Sequence, residues 1–349
     1  MDWGGKRVLV TGGASFIGSH LVDALVARGA RVRVVDNLSS GKLEHIRTHL
    51  EQETIEFREA DLLDPTAVQS AVQDMSIVFH LAADHGGRGY VDLHQVACST
   101  NLILDGALFK AAHAAGVEKV VFASSGCAYP NYIQMDTSKE LYLTEDMVGP
   151  PYDADNLYGW AKLMAELTLK AYHKEGKMKS ASCRYFTVYG PRGHENHAVI
   201  AMIARAFIKE DPFVVWGTGE QIRNWTYVDD IVSGTLLAAE KVDDGTAMNL
   251  GTMERIRVID AAREVLRYTG HQAQIQLAPD MPTGPLNRVA DNALAKRLLG
   301  WEPQMKFWDG LHRTIEWYFK SKYHAEIWRL LPTLLTEREA VVDQKATQP

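Results

Sequence analysis

The chain has 349 residues, 46 % of them hydrophobic, and a formal net charge of −7. This is the composition of a globular chain with a large core in one elaborated domain or two closely packed ones, and it excludes a disordered one. The acidic balance and the lack of any Lys/Arg run argue against a nucleic-acid binder. No apolar stretch is long enough to span a bilayer, so no membrane partner is expected. The start, Met1 to Lys6, carries no apolar signal segment. Three cysteines, Cys98, Cys127 and Cys183, cannot all pair and lack metal-ligand spacing. They suit a reducing, cytoplasmic setting, and no metal site is expected.

Val8 to Val10 reads as a buried strand. The turn Gly12-Gly13-Ala14-Ser15 follows at once, and then Leu21, Val22, Leu25 and Val26 recur at helical spacing. Strand, glycine turn and helix form the setting in which a helix N-terminus receives a dinucleotide pyrophosphate. Gly12 permits the sharp turn and Gly18 the close approach of helix to strand. Ser15 stands where the pattern T-G-x-x-G-x-x-G has its middle glycine. A second strand, Arg31 to Val35, ends in Asp36, a carboxylate placed for the hydroxyls of an adenosine ribose. Its charge would repel a 2′-phosphate, so NAD rather than NADP is expected.

Strands follow at Ile55–Arg58, Ile77–Ala83, Val120–Ala123 and Ser182–Val188, with helices at Pro65–Val72 and over about 92–115. Such alternation with short connections implies an α/β doubly wound parallel sheet. The loop Asp84-His85-Gly86-Gly87-Arg88-Gly89 and the segment Ser124 to Pro130 lie just past strand ends, where open parallel sheets bind ligands. Tyr158 and Lys162 are four apart, on one face of a helix reaching about Lys174. Beyond Gly190 the alternation loosens. Helices over about 199–209, 229–240, 256–268 and 292–299, with short strands near 214–216 and 248–250, read as a smaller mixed α/β lobe. The expected division is a Rossmann domain over 1–188, a substrate-binding lobe over 189–320 partly interleaved with it, and a helical tail over 321–349. The tail helix is expected to break at Pro332 and to end in a mobile polar stretch.

The phosphate loop, Ser124-Ser125 and Tyr158-x-x-x-Lys162 together resemble the extended short-chain dehydrogenase/reductase family, the NAD-dependent sugar-nucleotide epimerases and dehydratases. The resemblance runs from about Lys6 to Phe319 and includes Asp36–Gly41, Asp61-Leu62, His80–Ala83, Tyr189-Gly190-Pro191 and Tyr227-Val228-Asp229-Asp230. It implies that Gly12, Ser15, Phe16, Ile17, Gly18, Asp36, Asn37, Ser39, Asp61, Leu62, Leu81, Ala82, Ala83, Tyr158 and Lys162 hold NAD. It also implies that Tyr158 removes a proton from a sugar hydroxyl and that Ser125 shares that hydrogen bond. A tyrosine can do this only if its pKa falls well below its usual ~10, and the Lys162 ammonium is expected to stabilise the phenolate.

Within this family, Ala82–Tyr90 and Ala123–Pro130 are similar to the GDP-mannose 3,5-epimerases, in a glycine-rich substrate loop and in a catalytic cysteine. The similarity assigns Gly86, Gly87 and Arg88 to the substrate. It assigns Cys127 to proton removal at C3 or C5 once C4 is a ketone. Gly126 and Cys127 stand where a 4,6-dehydratase carries an Asp-Glu pair. The lysine that partners the cysteine in those epimerases is missing between Arg184 and Ile208; His194, Glu195 and His197 lie there instead. His197 falls nearest the lysine position and is the candidate acid. Thr187 stands where the family has Asn. With Ser125, Arg223 and Arg288 it completes the substrate set, the two arginines toward the diphosphate. Cys98 and Cys183 read as core residues, and Asn101 resembles a family position near the site. The resemblance further implies a homodimer, pairing the helices near 92–115 and 158–174 into a four-helix bundle. A UDP-sugar 4-epimerase with a structural Cys127 is the alternative reading, and a non-catalytic NAD-binding regulator on the same fold is another.

Overall fold

The computed structural model describes residues 1–338; the expected polar stretch at the chain end lies outside them. The main strands are β1 (Arg7–Thr11), β2 (Arg31–Asp36), β3 (Ile55–Glu59), β4 (Ile77–His80), β5 (Lys119–Ser125) and β6 (Lys179–Tyr185). The short strands β7 (Val188–Tyr189), β8 (Phe213–Trp216), β9 (Ile222–Arg223) and β10 (Thr226–Tyr227) lie outside the main sheet, and β11 (Asp244–Leu250) returns to its edge. The seven strands run parallel in the order β11-β6-β5-β4-β1-β2-β3. The doubly wound sheet expected from the alternation is thus present.

Its helices are α1 (Phe16–Val26), α2 (Arg47–Glu51), α3 (Pro65–Val72), α4 (Arg88–Leu93), α5 (Gln95–Ser99), α6 (Asn101–Ala114) and α7 (Asn156–Gly176). The later helices are α8 (Ala198–Phe207), α9 (Val228–Lys241), α10 (Val258–Thr269), α11 (Ala293–Leu299), α12 (Phe307–Ser321) and α13 (His324–Leu334). No helix among the described residues is long and apolar enough to cross a membrane.

Val8, Leu9 and Val10 are fully buried, as strands must be when helices cover both sheet faces. Val8 and Val10 point into a core shared with α1 and α9, while Leu9 points into the core of α3, α6 and α7. A helix from the second half of the chain therefore covers the first half's sheet. The strand near 248–250, read from sequence as part of the smaller lobe, belongs to that sheet: Asn249 pairs with Arg184 and Leu250 with Tyr185.

Four further departures have local causes. The helix expected over 92–115 is interrupted at His94 and Thr100. There Gln95, Ser99 and Thr100 bond back to the carbonyls of Val91, Val96 and Ala97 and compete with the helical ladder. Residues 81–83 leave the sheet, because the Thr11 hydroxyl takes the amides of Leu81 and Ala82 at 3.1 Å each. The sixth strand stops at Tyr185 and resumes at Val188, with Thr187 at a φ of +23° between them. The tail helix does not break at Pro332: the proline sits in the last turn of α13, where little helix remains to lose a bond.

Candidate active site

The sheet order reverses between β1 and β4, and a ligand cleft forms at such a point outside the carboxyl strand ends. Here it is two merging cavities of about 200 and 330 Å³. The smaller is lined by Gly12, Ser15, Asp36, Asn37, Ser39, Asp61, Leu62, Leu81, Ala82 and Ala83. The larger takes in Phe16, Ile17, Gly18, Gly86, Gly87, Arg88, Ser125, Cys127, Tyr158, Lys162, Thr187, His197, Arg223 and Arg288. All the residues assigned from sequence therefore border one continuous space.

The smaller cavity and the edge it shares with the larger suit a dinucleotide. Gly12 has a φ of +69°, and a Cβ there would lie 2.9 Å from the Ala82 nitrogen. A Cβ on Gly18 would lie 2.1 Å from the Gly12 carbonyl oxygen. Side chains at these positions would fill the cradle or push α1 off β1. Ser15 caps α1 without a side-chain bond to the helix, and no acidic residue occupies the first turn. The leading amides of α1 are thus left to an anion.

The floor between the two cavities is tied down by one chain of bonds. Having accepted two amides, the Thr11 hydroxyl donates to His80 Nδ1 at 2.8 Å, which leaves Nε2–H to donate to Asp105 at 3.0 Å. Burial lowers the His80 pKa, so the ring stays neutral and this tautomer holds the β4 exit against the phosphate loop.

Asp36 is 6 % exposed and accepts from the amides of Ala14 at 3.0 Å and Leu38 at 2.9 Å. Burial raises its pKa, and the two amides oppose the shift. Its remaining lone pairs suit ribose hydroxyls, whereas a 2′-phosphate would meet like charge at low dielectric. NAD is therefore expected to bind at least about tenfold more tightly than NADP by calorimetry. Equal affinity for the two would remove this role from Asp36.

At the other end, β5 delivers Ser124 and Ser125, and α7 delivers Tyr158 and Lys162. Ser124 points down and donates to Glu166 at 2.5 Å, and Glu166 is held by the Arg184 guanidinium at 2.9 and 2.7 Å. A buried pair of this kind contributes little net stability, but losing one partner costs about 3–5 kcal/mol. It pins β5, β6 and α7 beneath the site. Ser125 also lines the cavity and accepts from the Cys127 amide at 3.1 Å. The Lys162 Nζ lies 4.5 Å from the Phe122 ring centre and 5.6 Å from that of Tyr158.

Burial dominates both titrating groups. It pushes the Tyr158 phenol well above its ordinary range; Cys127 and Cys98 add to the shift, and a hydrogen bond with Ser125 opposes it. Burial also lowers Lys162. The expectation that Lys162 brings the phenol below its usual value is therefore not met by the chain's own groups.

The arginines form a cluster that the sequence did not reveal. Asp155, the N-cap residue of α7, receives Arg88 at 3.0 and 2.8 Å and Arg288 at 2.9 Å. Burial alone would raise its pKa, yet Arg288 and Arg88 hold the carboxyl below its usual range. Arg88 also grips Asp92, so the charge it was expected to offer a substrate is already paired with two carboxylates. Arg288 Nη1 lies 3.2 Å from Cys127 Sγ, a donor ready for negative charge on sulfur. Arg223 bonds only to the carbonyls of Ile222 and Thr283 among the described residues. Burial, with Arg288 and Arg88 nearby, lowers it to about 9. A cation so placed favours an anionic ligand.

His197 caps α8 and faces the cavity, but it does not reach Tyr158 directly. His85 stands between them, its ring 5.8 Å from each of theirs. Burial lowers His85 to about 3 and His197 to about 4, so both are neutral near pH 7. The two loops touch closely enough that a Cβ on Gly87 would lie 1.6 Å from the Asn196 carbonyl oxygen. Asn101 holds the first loop by clamping both backbone polar groups of Asp84, at 2.7 and 2.8 Å. His85, Asp155 and Glu166 were missed from sequence. His85 alone had a local signal, its place inside the glycine-rich loop.

The sequence model of the NAD dependent epimerase/dehydratase family matches residues 8–251. The chain belongs to that family. It is 32 % identical over 316 residues to GDP-mannose 3,5-epimerase 1 of Oryza sativa subsp. indica, covering 89 % of this chain and 81 % of that one. It is 29 % identical to UDP-glucuronic acid decarboxylase 1 of Xenopus tropicalis, covering 91 % and 73 %. The UDP-glucuronic acid 4-epimerase of Bacillus cereus, solved with UDP-glucuronic acid and NAD, superposes with a TM-score of 0.81 at 29 % identity, covering 90 % and 99 %. The protein is thus an NAD-dependent enzyme of sugar-nucleotide epimerase/dehydratase type, and the regulator reading is set aside.

Proposed function

We propose that this enzyme epimerises a nucleotide-diphosphate sugar through a transient 4-keto intermediate, in the manner of the GDP-mannose 3,5-epimerases, with proton exchange at C3 or C5. The observation that carries the reading is Cys127: its sulfur borders the same cavity as Ser125 and Tyr158 and receives an arginine N–H at 3.2 Å. A plain 4-epimerase has no use for a thiol there.

NAD, which Gly12, Asp36 and Lys162 would hold in the merged cavities, would supply reversible hydride acceptance at C4. Tyr158, oriented by Ser125, takes the C4 hydroxyl proton and gives it back at the end. The ketone makes the neighbouring C–H bonds acidic, and Cys127 as thiolate takes one of those protons while Arg288 holds the sulfur. The His85–His197 pair returns a solvent-derived proton to carbon. Arg223 grips the diphosphate; Arg288, assigned there from sequence as well, is already engaged by Gln134, Cys127 and Asp155. In this reading the enzyme is a homodimer. The apolar face formed by Ile103 and Leu102 of α6 with Trp160, Met164 and Leu167 of α7 is exposed, Ile103 by 64 %, and a second copy would cover it.

A UDP-sugar 4-epimerase is the second reading, favoured by one observation: no lysine stands between Arg184 and Ile208 to return a proton to carbon. Incubating the enzyme with GDP-, UDP- and dTDP-sugars in heavy water separates the two. Deuterium on C3 or C5 of a converted GDP-sugar supports the proposal. Conversion of a UDP-sugar with no deuterium on any ring carbon replaces it with the 4-epimerase.

A further inference from the structure

The last described residues cross the cleft. Leu335 lines the larger cavity, and Leu334, Glu337 and Arg338 line the smaller. The strand of backbone between them lies on α4: a Cβ on Gly89 would stand 3.1 Å from the Leu335 carbonyl oxygen. Arg338 then fastens two loops at once. Its Nε donates to Ser40 Oγ at 2.8 Å and its Nη2 to Ser39 Oγ at 2.7 Å, both in the loop after β2. Its Nη1 donates to Asp84 Oδ2 at 2.5 Å, in the loop after β4. The guanidinium lies 5.9 Å from the Tyr90 ring centre, and the side chain is only 15 % exposed.

We propose that Arg338 is a cofactor-retaining residue, a clamp that closes the dinucleotide site across its mouth. Three features support it. The two loops it joins are the opposite banks of the smaller cavity. Asp84 is itself immobilised by Asn101, so the anchor is rigid. The guanidinium lines the cavity together with Gly12 and Ser15 at the α1 N-terminus, so the bridge it makes spans the space the dinucleotide would fill. The chemistry gives such a clamp a purpose. An enzyme that reduces and reoxidises its coenzyme within one turnover gains nothing by releasing it, and loss of the reduced form would strand the ketone.

The test reads NAD release rather than sugar chemistry, so it stands or falls apart from the epimerase reading. The purified holoenzyme is loaded with NAD, and release is followed after dilution into a trap. Arg338→Ala is expected to release NAD about 10–100-fold faster, through loss of three charge-assisted bonds. Its activity should come to depend on added NAD. Arg338→Lys can reach one bank only and should restore a small part of the retention. Ser40→Ala, which removes a single bond, should speed release a few-fold and serves if Arg338→Ala does not fold. Release at the parental rate from a folded Arg338→Ala, whether or not its melting temperature falls, overturns the proposal.

Discussion

Replacing Cys127 by serine is expected to abolish exchange of carbon-bound hydrogen while sparing oxidation at C4. A serine hydroxyl is nearly the size of the thiol but a far weaker acid, so it cannot supply the base. Positioned proton transfer of this kind contributes about 10²–10⁴-fold, and deuterium incorporation at C3 or C5 should fall by that order. In the proposed mechanism the hydroxyl to be oxidised would face Tyr158 and Ser125, which the substitution leaves in place, so substrate should still reduce bound NAD transiently, seen as absorbance of the reduced ring. Arg288 contributes to the outcome. It donates to the Cys127 sulfur at 3.2 Å and to Asp155 at 2.9 Å, so a serine leaves its carboxylate anchor intact. If Cys127→Ser keeps the parental rate of exchange, the thiol is a packing residue.

Tyr158→Phe is expected to lower turnover by about 10²–10⁴-fold with NAD affinity within a few-fold of the parent. Tyr158 is half-buried in the cavity wall, and the loss of water around the phenol holds its proton tightly. As the proposed base, Tyr158 would therefore rely on charge that arrives with the cofactor and on the hydrogen bond with Ser125. Single-turnover kinetics should show that the loss lies in oxidation at C4, because the substituted ring keeps its packing against Tyr90, Val91 and Cys98. Turnover within a few-fold of the parent would assign the base elsewhere, with His85 the nearest imidazole at 5.8 Å between ring centres.

Much of this architecture was legible in the chain itself, because its causes are local. An apolar triplet at Val8–Val10, a turn that only glycine can make at Gly12 and an apolar helix stripe beginning at Leu21 specify strand, turn and helix within fifteen residues. Repeating that unit fixes a parallel sheet, and loops past its strand ends become the ligand edge by topology. Asp36, Ser125, Tyr158 and Lys162 could be placed at the cleft from sequence for this reason: each sits at a set distance from the end of a strand or on one turn of a helix.

What the tertiary structure decided was everything that depends on residues far apart in the chain. Arg88 and Arg288 meet at Asp155 across 67 and 133 positions, which turns an expected free charge at Arg88 into a paired one. Arg338 reaches Asp84 across 254 positions. His85 comes between His197 and Tyr158 only because two glycine-dependent loops pack face to face. The direction in which each group titrates also belongs to this level. Local spacing put Lys162 one turn from Tyr158 and suggested a lowered phenol, but desolvation depends on how many neighbours fold over a group. Here burial outweighs the effect of one nearby ammonium.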